Sequence, residues 1–212
     1  MNSENETIHA QSSQAENQHL VIPDDKERLK RAPYARTRKD FKVKFTGKCF
    51  CETVQFEIAE DPLDASYCHC RDCQRLHGAP YQWAAIFHKD AVHFTQGEEE
   101  LIFFNPHDKR TEYKLPLKIS CAQCHSPICD EGRKMLLMFP GLIEFDLNLL
   151  PGPFRATHHM LYGSRVEDIN DDLPKFLGKK NECPYEGEAK GAESIEKLRK
   201  WREQADKKGT KD

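Results

Sequence analysis

The sequence predicts an all-β domain braced by bound metal. Two observations predict the strands: short apolar runs alternate with polar residues, and glycine, proline or asparagine breaks them at close intervals. A third predicts the bracing, because seven of the nine cysteines fall in three tight groups.

The alternation begins with Phe41, Val43 and Phe45 and resumes with Val54, Phe56 and Ile58. Between these runs lies TGKCFCE, which puts Cys49 and Cys51 at the tip of a hairpin, with Gly47 suited to the turn. Further strands are expected at YQWAAIF (81–87), AVHFT (91–95), ELIFF (100–104), KLPLKIS (114–120), MLLMF (135–139) and ATHHMLY (156–162). Gly78, Pro80, Gly97, Asn105 and Gly132 punctuate them. After Cys70, RDCQRLHG shows no strand alternation and reads as a short helical turn ending at Gly78. Residues 165–180 read as a loop packed by Ile169, Leu173 and Phe176.

Both ends differ in composition from this middle. Residues 1–38 read as a flexible tail, polar at first and basic later, since so few apolar groups cannot offset the entropy of ordering. The β domain is placed at 39–178 and a C-terminal extension at 179–212. Within the extension Ile195, Leu198, Trp201 and Ala205 recur at helical spacing, which predicts an amphipathic helix.

A net charge of −3 gives no general reason to bind nucleic acid or an anionic membrane, although 26–44 is locally basic. No apolar run approaches the ~20 residues of a membrane span. The N-terminus has no basic start followed by an apolar stretch, as a secretory signal would, and its first twenty residues carry three glutamates and no arginine. A reducing compartment is therefore expected, cytoplasmic or nuclear. Oligomeric state is not written in the sequence.

In such a compartment an odd set of nine cysteines points to metal rather than disulfides. Cys68, Cys70 and Cys73 lie within six residues and can hardly avoid sharing a site. The C-x-C pair Cys49/Cys51 and the C-x-x-C pair Cys121/Cys124, about seventy residues apart, would together make a closed tetrahedral zinc site that ties an early hairpin to a late one. Three thiolates leave one coordination position over. Water, an external ligand or a protein side chain such as His69 or Cys129 could take it. A zinc ion with three thiolates carries net −1, a poor generator of hydroxide but a reasonable host for a soft external thiolate.

GKCFCETVQF, CHCRDCQRLHGAPYQWAAIF and CAQCHSPICDEG resemble, in order and spacing, the glutathione-dependent formaldehyde-activating (Gfa) family, whose domain is shared with centromere protein V. The resemblance covers roughly 41–175. It implies a single zinc-stabilised β-tent domain. It also implies a structural zinc on Cys49, Cys51, Cys121 and Cys124, and a second, labile zinc on Cys68, Cys70 and Cys73, where glutathione sulfur can engage. The activity implied is that of a carbon–sulfur lyase acting on glutathione–aldehyde adducts, S-(hydroxymethyl)glutathione synthase-like, with Cys68, Cys70 and Cys73 as the catalytic ligands. The partners implied are glutathione or another small thiol, and a small aldehyde. The alternative is a zinc-stabilised glutathione carrier or protein-interaction module without catalysis. One departure stands out: His125 follows the last zinc cysteine where the family has glycine. It could strain a left-handed turn or offer a nitrogen to the metal.

Among the remaining candidates, His69 reads as a group behind the ligands or at the surface. His158, His159 and Trp83 read as packing residues, Cys129 as a buried apolar side chain and Cys183 as an exposed thiol. H-E-x-x-H, G-x-S-x-G and Walker-type glycine loops are absent from the sequence, so nothing supports a metalloprotease, a serine hydrolase or a nucleotide-binding enzyme.

Overall fold

The alternation along 41–58 becomes a hairpin whose ladder starts at Phe45. In the computed structural model, which describes residues 28–35, 40–146, 149–187 and 189–207, β1 (Phe45–Lys48) pairs antiparallel with β2 (Gln55–Ile58). Phe56 and Ile58 turn inward while Gln55 and Glu57 stay half-exposed. Gly47 is needed for closeness rather than for a special dihedral: a Cβ there would lie 2.2 Å from the Phe56 ring. β5 (Val92–Gln96) joins β2 to complete a three-stranded sheet.

The second sheet has eight strands. Its members are β3 (Asp64–Cys68), β4 (Gln82–His88), β6 (Leu101–Asn105), β7 (Arg110–Thr111), β8 (Leu117–Cys121), β9 (Pro127–Glu131), β10 (Met135–Met138) and β11 (His159–Met160). They run in the order β11-β3-β4-β10-β9-β8-β6-β7. One buried cluster draws on both sheets, with Phe56, Ile58 and Phe94 from the first and Phe87, Phe103, Ile119 and Leu136 from the second. Among the described residues the fold is thus mostly β, with two α-helices: α1 (Arg71–His77), where a helical turn was expected, and α2 (Gly191–Lys207) near the C-terminus.

Three strands were not foreseen: β3, β9 and the two-residue β7. In β3, Ala65, Ser66 and Cys68 are all buried, so no alternation marks it; β9 buries Ile128, Cys129 and Glu131. Conversely, ATHHMLY yields only the two-residue β11, which lies parallel to β3, with His159 opposite Tyr67 and Met160 opposite Cys68.

The expected N-terminal tail falls mostly outside the described residues, but 28–35 packs on the domain. Tyr34 is buried, stacks on Phe94 with ring centroids 5.6 Å apart and donates from its hydroxyl to Glu131 Oε2 at 2.7 Å. Glu131 is itself fully buried, and Lys89 Nζ reaches its Oε1 at 2.5 Å. At the other end α2 presses on the 162–164 turn, where a Cβ on Gly163 would lie 2.1 Å from Ser194 Oγ. Ile195 departs from the expected apolar stripe, being 67% exposed. Cys183 is buried, not exposed. Among the described residues no helix is long and apolar enough to cross a membrane.

Candidate metal centres

The hairpin tip brings Cys49 and Cys51 to the turn after β8, which carries Cys121 and Cys124. The four Sγ atoms lie within 4.8 Å of one another. Cys49 to Cys51 is 3.5 Å and Cys51 to Cys121 is 3.8 Å. A tetrahedron with Zn–S bonds of about 2.3 Å has edges of about 3.8 Å, close to these two separations. Donors surround them: Val54 N–H reaches Cys49 Sγ at 3.3 Å, and the Ser126 hydroxyl lies 3.2 Å from Cys124 Sγ. Burial pushes Cys121 up to about 12. Burial opposes ionisation of Cys124 too, but hydrogen bonds from Ser126 outweigh it and bring that thiol down to about 5.

His125 sits in the left-handed region at φ 58° and donates its N–H to Cys121 O at 2.9 Å, closing the turn. Its backbone makes the shape a glycine would adopt without strain. Its side chain does not join the four sulfurs as a potential ligand.

Cys68 ends β3, Cys70 caps α1, and Cys73 follows in the first turn, its N–H reaching Cys70 Sγ at 3.3 Å. This strand-to-helix bend is what gathers residues 68, 70 and 73, whose sulfurs again lie within 4.8 Å of one another. Among the described residues no fourth histidine, cysteine, aspartate or glutamate joins them. Cys129, weighed as a closing ligand, is buried in the core. Hydrogen bonds from Cys68 and Cys73 drive the Cys70 thiol down to about 2, while bonding to Cys70 and Cys73 pushes Cys68 far upward.

His69 turns away from this group. Its Nε2 lies 2.8 Å from His159 Nδ1, and His159 Nε2 lies 2.8 Å from Asp171 Oδ2. His69, expected behind the ligands or at the surface, and His159, read as ordinary packing, thus form a buried chain behind the ligand loop. Gln74 Nε2 pins the same loop by donating to His69 O at 2.8 Å and Ser164 O at 2.9 Å.

On the other side stand groups the sequence did not single out. Lys118 Nζ lies 3.4 Å from Cys73 Sγ and 3.0 Å from Gln82 Oε1, and it also bonds to Asp130. Burial works against the Lys118 charge, but Asp130 and Cys73 outweigh it and hold its pKa above the ordinary value. Periodicity could have placed Lys118 on the face of β8 opposite Ile119, but only the sheet order brings that face to α1. Trp83, read as a packing residue, is half-buried and donates from Nε1 to Phe154 O at 3.1 Å.

Comparison with known proteins bears on both groups. The family model described as glutathione-dependent formaldehyde-activating enzyme matches residues 44–145, the span that contains all seven grouped cysteines. A crystal structure of a Rhodobacter sphaeroides protein is similar at 19% identity and a TM-score of 0.40, over 49% of this chain and 92% of that one. No curated protein matches.

Proposed function

We infer that this chain, whose residues 44–145 match the glutathione-dependent formaldehyde-activating enzyme family model, makes or cleaves adducts of glutathione with a small aldehyde, a carbon–sulfur lyase activity. The observation that carries this reading is the three-cysteine group, which no fourth histidine, cysteine, aspartate or glutamate joins among the described residues. A zinc ion held by Cys68, Cys70 and Cys73 supplies a Lewis-acidic position suited to an external thiolate sulfur. Cys49, Cys51, Cys121 and Cys124 are assigned a second, closed zinc that braces the fold.

In the forward direction a bond forms between the glutathione sulfur and the aldehyde carbon. The carbonyl π pair moves to oxygen, and the proton lost by the thiol is balanced by one gained at that oxygen. The reverse breaks the same bond. The nucleophile belongs to the substrate, so the chain's residues position rather than attack. The Cys70 cap and the Gln74 bonds fix the ligand loop, and Lys118 sets the charge beside it. Nine free thiols suit a reducing compartment, the cytoplasm or the nucleus.

Exchange NMR on glutathione and formaldehyde tests the reading, because the uncatalysed exchange provides its own baseline. The wild-type protein should accelerate exchange and Cys70→Ala should not. Equal rates in both would refute the site assignment. Binding of glutathione without acceleration would make the protein a carrier.

A further inference from the structure

Strand parity separates the two faces of β8. Leu117, Ile119 and Cys121 are buried in the core, while Lys118 and Ser120 lie on the other face. Lys118 stands directly opposite Asp130 in the β8–β9 register, and its side chain is only 17% exposed. An ammonium has three N–H donors, and here three acceptors meet them: Gln82 Oε1 at 3.0 Å, Asp130 Oδ2 at 2.5 Å and Cys73 Sγ at 3.4 Å. Gln82 closes the set by donating from Nε2 to Asp130 Oδ2 at 2.8 Å. Lysine is usually a mobile, well-hydrated point charge. This one is fixed, with one proton directed at a sulfur.

We propose that Lys118 is the positioning residue of the three-cysteine centre, offsetting the negative charge an incoming thiolate meets and so setting the centre's affinity for anionic thiols. The inference rests on the function proposed above. Three thiolates around a divalent ion leave net −1, and an external thiolate takes the centre to −2. Cys68 and Cys73 are buried, so solvent screens that charge poorly. An ammonium within hydrogen-bond reach of one ligand sulfur draws density from it and makes the second anion tolerable. Asp130 does not cancel this effect at the sulfur, because only the ammonium of the pair bonds to Cys73. The plainer reading is an ion pair that merely braces β8 against β9. It predicts lost stability and unchanged thiol affinity.

Cobalt-substituted full-length protein, titrated with glutathione and followed by its sulfur-to-cobalt charge-transfer absorption, separates the two readings. The variant Lys118→Gln with Asp130→Asn removes both charges and leaves no buried carboxylate unpaired. Lys118→Arg keeps the cation. The double variant should need roughly 10- to 100-fold more glutathione for half-saturation, the usual range for loss of a group that supports metal ligands, and its absorption band should shift before any thiol is added. Lys118→Arg should recover most of the affinity. If the double variant does not fold, Lys118→Gln alone keeps a donor for Asp130 and is judged by the same criterion. Half-saturation unchanged from wild type would overturn the role of Lys118 and leave the proposed function standing. A wild-type spectrum indifferent to glutathione would overturn both.

Discussion

His69 Nε2 lies 2.8 Å from His159 Nδ1, although ninety positions separate the two in the chain. The tautomers follow from the far end. Lys175 and His159 bond to the Asp171 carboxylate and outweigh burial, holding its pKa below the ordinary value, so His159 Nε2 donates to it. His159 Nδ1 then accepts from His69 Nε2–H. This leaves His69 Nδ1 as a lone pair without a partner, in agreement with its standing as a buried, unbonded atom. The chain anchors the backbone between Cys68 and Cys70 to β11.

Replacing His159 by alanine should therefore reach the metal ligands without touching them. It leaves His69 Nε2–H unpaired in a buried position, a loss of about 1–3 kcal/mol. Thermal unfolding should show that loss, and competition with a chromophoric chelator should show weaker zinc at Cys68, Cys70 and Cys73. Unchanged zinc affinity at that centre would mean that the chain supports the fold alone.

The same histidine predicts a pH response. Burial, followed by the neighbouring His159, depresses the His69 pKa to about 4 from an unfolded value of 6.5. Between those values the unfolded chain binds a proton that the folded chain refuses, so stability rises with pH through the window and falls on acidification. At pH 5 the loss relative to pH 7 from this group alone is about 2 kcal/mol. Denaturant unfolding at the two pH values measures the sum, and imidazole NMR shifts isolate the residue. A His69 ring that protonates near pH 6.5 in the folded protein would contradict this account.

Much of the architecture was legible because burial on one face leaves a period-two record. β2, β6 and β8 show it plainly, with Phe56 and Ile58, Leu101 and Phe103, and Leu117 and Ile119 facing in. β3 carried no such record, since three of its five residues are buried and one of these is a serine. The cysteine groups were legible for a different reason: thiols two or three residues apart converge whatever the surrounding topology, and the two remaining pairs, about seventy residues apart, complete each other's set of four ligands. Lys118 and His159 were not. Each meets the three-cysteine loop through sheet order, Lys118 from β8 and His159 from the edge strand beside β3, and no local pattern encodes which strands become neighbours.

The two cysteine groups should part company under chelation. The Cys49 group offers four sulfurs, whereas the Cys68 group offers three. Mild chelation followed by metal analysis should remove zinc from the three-cysteine centre first and leave about one ion per chain. Cys124→Ala opens the four-sulfur centre, and loss of its zinc should unfold the domain, since structural zinc supplies folding free energy. A soluble, cooperatively folded Cys124→Ala protein would remove the structural assignment.

His125 supplies a prediction of opposite sign. Its φ of 58° lies in the left-handed region, where a Cβ crowds the following carbonyl at a cost of about 1–2 kcal/mol. Glycine adopts that conformation freely but loses more backbone entropy on folding, about 0.5–1 kcal/mol. The difference favours glycine. The His125 side chain is exposed and joins neither sulfur group, so nothing in its contacts offsets the strain. His125→Gly should therefore raise stability by up to about 1 kcal/mol, with zinc content unchanged. Equilibrium unfolding and metal analysis check the two halves separately. A destabilised variant that retains its zinc would show that the backbone of this turn is not strained. One that loses zinc would make the imidazole a ligand after all.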